Sequence, residues 1–220
     1  MSEERYLTFA LGKGRLAKKT LELFEQIGIT CEEMKDKNTR KLIFVNEELK
    51  LRFFLAKGPD VPTYVEYGAA DIGIIGKDVL LEENKDVYEL LDLKFGFCRL
   101  MMAVPEELLQ EKITDYAHMR VATKFPKVAE KFFNNKGMQM EFIKLNGSIE
   151  LGPMVGLAEV IVDIVETGRT LKENKLIEVA HIANATARFI ANRVSFKMKF
   201  NRINQMVEDL RYIVESESKK

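Results

Sequence analysis

Short apolar runs alternate with helical repeats along this chain, and several junctions carry a glycine beside cations or hydroxyls. Such alternation predicts an α/β fold, in which strands pack under helices and the connecting turns gather at the strands' carboxyl ends. "YLTFAL" reads as a strand that stops at Gly12-Lys13-Gly14-Arg15. Leu16, Thr20, Leu21, Phe24 and Ile27 then recur at helical spacing up to a capping Gly28. "KLIFV" and "LRFFLA" are two further strands. Asp60 and Pro62 open a helix that Gly68 ends, and "DIGII" is a buried strand that turns at Gly76 into another helix. A second series begins near residue 93. It contains the strands "LMMAV" and "RVATKF", a helix from Pro126 to Lys136 ended by Gly137, and the strand "MEFIKL". "NGSIELGPMVGL" follows as a turn into a short helix, then the strand "EVIVDIV". The long β-prone run "LIEVAHIANATARFIAN" is suited to carry the chain from one lobe back to the other, and "FNRINQMVEDLRYIV" closes it as an amphipathic helix. The series predict two lobes, residues 1–92 with about 178–220, and residues 93–177, with a ligand cleft between them.

Composition narrows the function. Lys+Arg and Asp+Glu balance at 34 each, so no basic field directs the chain to nucleic acid, and an anionic ligand has to be held by local groups. No run approaches the roughly 18 apolar residues of a membrane span, and the N-terminal "MSEERYLTFALGKGR" lacks a signal-peptide pattern. Cys31 and Cys98 stand alone, and His118 and His181 have no partner at metal-ligand spacing, so no protein metal site is expected. The expectation is a reduced, cytoplasmic protein.

The strand "EVIVDIV" raises a particular question, because Asp163 interrupts its apolar run shortly before Thr167, Gly168, Arg169 and Thr170. A glycine lets backbone N–H groups turn inward, the hydroxyls add donors, and a helix start favours negative charge. A carboxylate one turn earlier accepts hydrogen bonds from vicinal hydroxyls. Asp163-(x)3-Thr167-Gly168-x-Thr170 therefore reads as a cradle for a sugar phosphate. On spacing alone, an ordinary strand–turn–helix with a capping threonine accounts for it at least as well. "LGKGRL", with Lys13 and Arg15, has the same logic but is no P-loop. In "LNGSIE", Glu150 follows Asn146, Gly147 and Ser148, which suits helix capping as much as an anion site. Three donor-rich turns after three strands favour a polyanionic ligand.

Taken together, "ALGKGRL", "TRKLIF", "DVPTYVEYGAADIGIIGKDVL", "IKLNGSIELGP" and "VDIVETGRTLKENKL", in this order, resemble the short form of the ATP phosphoribosyltransferase family. The resemblance implies two α/β lobes like type II periplasmic binding proteins. It also implies the first reaction of histidine biosynthesis, in which adenine N1 of ATP is joined to C1 of phosphoribosyl pyrophosphate and pyrophosphate departs. Asp163 and Glu150 would meet the ribose, while Thr167, Gly168, Arg169 and Thr170 wrap the 5-phosphate. Lys13, Arg15 and Arg40 would face the remaining phosphates, with Arg40 and Lys57 assigned to catalysis. Many relatives carry arginine three residues before the aspartate of "DVP", where this chain has Lys57, which keeps the charge but loses the bidentate fork. Asp71 is expected to position the turn before its strand. Mg²⁺ would arrive bound mainly through substrate phosphates. The resemblance also implies a homodimer that joins a regulatory subunit similar to histidyl-tRNA synthetase in a hetero-octamer, because the long form's histidine-binding domain is absent from this sequence. The rival readings are a non-catalytic two-lobed small-molecule binding module and a different phosphoribosyltransferase, whose loop commonly follows two adjacent acids.

Overall fold

The computed structural model describes residues 6–35 and 41–217. Among them the strands are β1 (Leu7–Gly12), β2 (Ile43–Asn46), β3 (Leu51–Ala56), β4 (Ile72–Gly76), β5 (Tyr88–Asp92), β6 (Cys98–Pro105), β7 (Arg120–Thr123), β8 (Glu141–Lys144), β9 (Val160–Val165), β10 (Leu176–Ala185) and β11 (Ala187–Ala191). The helices are α1 (Arg15–Glu25), α2 (Val61–Glu66), α3 (Lys77–Glu83), α4 (Pro126–Asn134), α5 (Leu151–Met154), α6 (Arg169–Glu173), α7 (Arg193–Met198) and α8 (Phe200–Glu217). The chain divides into two compact units, Met1–Gly96 with Thr186–Lys220, and Phe97–Ala185.

The first unit holds a six-stranded sheet in the order β2-β3-β1-β4-β11-β5. Strands β3, β1 and β4 run parallel, so the turns after them emerge along one edge. One face is filled by Phe9, Phe24, Phe53, Phe189, Ile203 and Leu210, with Phe9 stacked on Phe53 at 4.8 Å between ring centroids. On the other face Ala10, Ile75 and Ile190 pack against Val61 and Val65 of α2. The two residue sets alternate along β1 and β11, as a strand covered on both sides requires.

The second unit holds a five-stranded sheet in the order β10-β6-β9-β7-β8. Here β8, β7 and β9 are mutually parallel, and β6 runs antiparallel to β9. Val160 and Val162 of β9 enter the core that contains Phe133 of α4. Ile161 and Val165 face the opposite way, into the cluster with Ile149 and Leu171. Side chains two apart on a strand share a face, so Asp163 stands on this second side, between Ile161 and Val165.

The division falls after Gly96 and after Ala185, where the sequence suggested 92 and about 177. Leu93 and the carbonyl of Phe95 still bond to Ala187 in the first sheet. Residues 176–185 pair along β6 in the second. The run "LIEVAHIANATARFIAN" thus supplies a strand to each sheet, β10 and β11. Strand β5 is a short segment with two acids among its five residues, and its sequence alone does not mark it as a strand.

Candidate active site

Asp163, Glu166–Thr170 and Glu150 line one open cavity of 240 Å³ in the second unit. Its walls are the turns that leave the parallel strands β8 and β9, so it lies at their carboxyl ends. Leu171, only 6% exposed, anchors the far side of the β9 turn in the apolar cluster. The turn depends on Gly168, whose backbone sits at φ 76° and ψ −1°, a left-handed conformation costly for other residues. This geometry leaves the N–H groups of Thr167, Gly168 and Thr170 without a protein acceptor among the described residues, while that of Arg169 bends 3.4 Å toward Thr167 Oγ1. Gly168 is half-buried and Thr167 and Thr170 are exposed, so these donors are open to an anion or to water. Helix α6 has only five residues, so its dipole adds little, and the donors themselves carry the site. The Arg169 guanidinium turns away to Glu173, with Nε 2.7 Å from Oε1, in an exposed pair of the kind that breaks at small cost.

Glu150 precedes α5 and makes no capping bond through its side chain, and Ser148 adopts φ 50°. The capping alternative for "LNGSIE" is therefore not realised, and the half-buried carboxylate opens to the same cavity as Asp163. Asp163 Oδ1 accepts a 2.8 Å bond from the N–H of Ile164, which fixes its carboxylate at the strand's margin.

In the first unit, the N–H of Lys13 donates to Ala56 O at 3.1 Å, so Lys13 and Lys57 emerge side by side where β1 and β3 end. Gly12 and Gly58 let the two turns approach: a Cβ on Gly12 would lie 3.5 Å from the Cα of Gly58. Gly14, at φ 100° and ψ −149°, turns the chain into the eleven-residue α1, which begins with Arg15. Lys13, Arg15 and Lys57 are exposed, and Lys13 and Lys57 have no ion-pair partner among the described residues. Cations at the carboxyl edge of parallel strands, beside a helix start, form an anion-attracting rim. Arg40 lies outside the described residues.

Other singled-out residues have structural employment. Asp71, 6% exposed, stands at the opposite end of β4, accepts from the N–H of Thr8 at 2.8 Å and pairs with Lys199 at 2.7 Å. His181 bonds Asn184, and His118 sits in a turn at φ 67°. Cys31 and Cys98 are buried thiols, and burial pushes that of Cys31 upward. Among the described residues no cluster of three His, Cys, Asp or Glu could hold a metal, and no helix is long and apolar enough to cross a membrane. Sequence reasoning missed Arg99 and Glu178, whose bidentate pair lies on the same sheet face as Asp163. They sit on different strands in ordinary apolar contexts, and no local spacing links them.

Residues 57–212 match the family model of HisG, ATP phosphoribosyltransferase. The chain belongs to the ATP phosphoribosyltransferase family. It is 60% identical over 211 residues to the ATP phosphoribosyltransferase of Lachnoclostridium phytofermentans, covering 96% of this chain and 98% of that one. It is 57% identical to that of Lachnospira eligens, covering 98% and 100%. Among solved structures it is similar to an ATP phosphoribosyl transferase (HisG:HisZ) complex from Thermotoga maritima, with a TM-score of 0.81, 33% identity and coverage of 96% and 99%. The aliphatic sulphonate binding protein SsuA of Escherichia coli, 12% identical with a TM-score of 0.63 over 96% of this chain and 73% of that one, shares the fold alone. As an ATP phosphoribosyltransferase, the protein is a pentosyl transferase that carries out the first step of histidine biosynthesis. The binding-module alternative is not favoured.

Proposed function

We propose that the cavity at the end of β9 holds the phosphoribosyl half of phosphoribosyl pyrophosphate. The N–H groups and hydroxyls of Thr167–Thr170 meet the 5-phosphate, and Asp163 and Glu150 accept hydrogen bonds from the ribose. The observation that carries this reading is the left-handed turn at Gly168, with its unengaged N–H groups, on the same cavity as two carboxylates. Lys13, Arg15, Lys57 and Arg40 are assigned to the pyrophosphate and ATP phosphates.

In the reaction, the bond from C1 to the pyrophosphate oxygen breaks and a bond from adenine N1 to C1 forms. Positive charge develops on the ribose and negative charge on the leaving group. In this reading Asp163 and Glu150 serve the ribose, which gains positive charge, and Lys57 and its neighbours are assigned to the departing anion. The N1 lone pair attacks directly, so no general base is required, and holding the two substrates in line supplies much of the rate. The donor set fits Mg²⁺ carried in on substrate phosphates, where Glu150 and Asp163 are oxygen donors near the ribose and no protein cage is needed. When bound, the ion neutralises phosphate charge and raises the leaving ability of pyrophosphate.

A partner belongs to the same proposal. The similarity to the chain of a HisG:HisZ complex, over 99% of that chain, supports a regulatory subunit of this type. The reading takes that subunit to resemble histidyl-tRNA synthetase and the assembly to be a hetero-octamer. A cytoplasmic setting and a free homodimer go with it. The test mixes the protein with ATP, phosphoribosyl pyrophosphate and Mg²⁺, with and without such a subunit, while product absorbance is followed. Activity should rise and become histidine-sensitive together when the subunit is added. Specific histidine inhibition of this chain alone would overturn the partner reading.

A further inference from the structure

Behind the phosphate turn lies a charge pair that the reaction does not obviously need. Arg99 of β6 forms a bidentate fork with Glu178 of β10, Nη1 to Oε2 at 2.8 Å and Nη2 to Oε1 at 3.0 Å. Two features tie this pair to the cavity. A Cβ placed on Gly168 would lie 3.4 Å from Glu178 Oε1, so the carboxylate backs directly onto the turn. The Arg99 side chain also runs along the face that carries Asp163: its Nη1 lies 3.6 Å from Met101 Sδ, and Met101 is the register partner of Asp163, just as Arg99 is of Val165. Directly opposed residues on antiparallel strands have adjacent side chains. The fork thus lies on the sheet face that carries Asp163 and ends under Gly168.

A bare carboxylate at that place would oppose the binding of phosphate. Both partners are partly enclosed, with side chains 33% and 29% exposed, so water screens the charge incompletely. We infer that Arg99 and Glu178 are a positioning pair for the phosphoribosyl site: Glu178 supports the back of the Gly168 turn, and Arg99 fixes that carboxylate while cancelling its charge toward the bound phosphate. This rests on the assignment of the cavity to phosphoribosyl pyrophosphate. Neither residue is asked to touch the substrate, and a two-point guanidinium fork suits the task better than an ammonium.

The pair predicts different outcomes for its two members. Arg99→Met exposes the carboxylate and should weaken phosphoribosyl pyrophosphate binding about tenfold, the scale of one charge-assisted hydrogen bond. Glu178→Gln keeps the shape behind Gly168 and removes the negative charge, so binding should be unchanged or tighter. The double variant should recover most of the affinity lost in Arg99→Met. The experiment is calorimetric titration of Mg²⁺–phosphoribosyl pyrophosphate into the full chain and each variant, with the KM for ATP and the melting temperature measured alongside. A selective loss in Arg99→Met that Glu178→Gln relieves supports the pair. Weaker binding in Glu178→Gln, no change in Arg99→Met, or a parallel rise in the KM for both substrates with a lowered melting temperature would overturn it. Glu178→Gln carries the test if Arg99→Met does not fold. Gly168→Val is the control for the cavity itself. If it binds normally, the cavity assignment falls; if it loses binding while Arg99→Met is silent, the pair alone falls.

Discussion

Replacing Gly168 with alanine isolates the backbone's share in phosphate binding. The residue sits at φ 76°, where a side chain clashes with the following carbonyl at a cost of roughly 1–2 kcal/mol. Space is a smaller matter, since the nearest atoms to the new Cβ are Glu178 Oε1 at 3.4 Å and Val165 Cγ1 at 3.9 Å. Conformational strain therefore dominates. The turn is a half-exposed loop, so the free protein can escape the strain by leaving the left-handed conformation and has to restore it when the phosphate binds. The 1–2 kcal/mol then appears as a loss of affinity of about 5- to 30-fold. Asparagine tolerates this backbone region better, so Gly168→Asn should lose clearly less than Gly168→Ala. Valine, being β-branched, should lose more than either. Titration of Mg²⁺–phosphoribosyl pyrophosphate into the three variants gives the order directly. Wild-type affinity in Gly168→Ala, or Gly168→Asn falling below it, would refute the claim that the left-handed turn is the binding conformation.

Lys57→Ala should reduce kcat by roughly tenfold with a smaller change in KM, and Lys57→Arg should retain most activity, as expected for a cation that meets developing charge; wild-type turnover in the alanine variant would remove Lys57 from catalysis. Asp71→Ala should destabilise the protein by about 3 kcal/mol, because it leaves the Thr8 N–H without its acceptor and the Lys199 ammonium without its counter-charge, with only the Tyr6 carbonyl to bond, and thermal melting checks this. The Arg120 guanidinium beside Glu159 holds its carboxyl down from 4.5 to about 2. A depressed folded-state value means the pair's stabilisation is complete above pH 4.5 and is lost as the pH falls toward about 2. Denaturant titrations over that window should show a shallower acid loss in Glu159→Gln than in the parent.

Much of this architecture was legible because its signals are local. The phosphate turn announces itself through Thr167, Gly168 and Thr170 after an apolar strand, and β9 betrays its two faces by alternating Val160 and Val162 with Ile161, Asp163 and Val165. The chain's return through "LIEVAHIANATARFIAN" was visible as one uninterrupted β-prone run, but not the point where it changes sheets. That point is set by pairing partners, β6 for residues 176–185 and then β4 and β5 for residues 187–191, and pairing is non-local. Strand β5 escaped for a related reason: Tyr88–Asp92 is too short and acidic to stand out until β11 pairs with it. The Arg99–Glu178 fork joins residues 79 positions apart and exists only once the sheet has formed. Glu150 was ambiguous between cap and ligand because both uses place an acid at a helix start, and only the missing capping bond separates them.

A crystal structure of the protein with Mg²⁺–phosphoribosyl pyrophosphate tests the central assignment most directly. The 5-phosphate should lie in the β9 turn, with oxygens about 2.7–3.2 Å from the N–H groups of Thr167, Gly168 and Thr170, and the ribose hydroxyls on Asp163. A 5-phosphate bound elsewhere, with the Gly168 turn left to solvent, would contradict it.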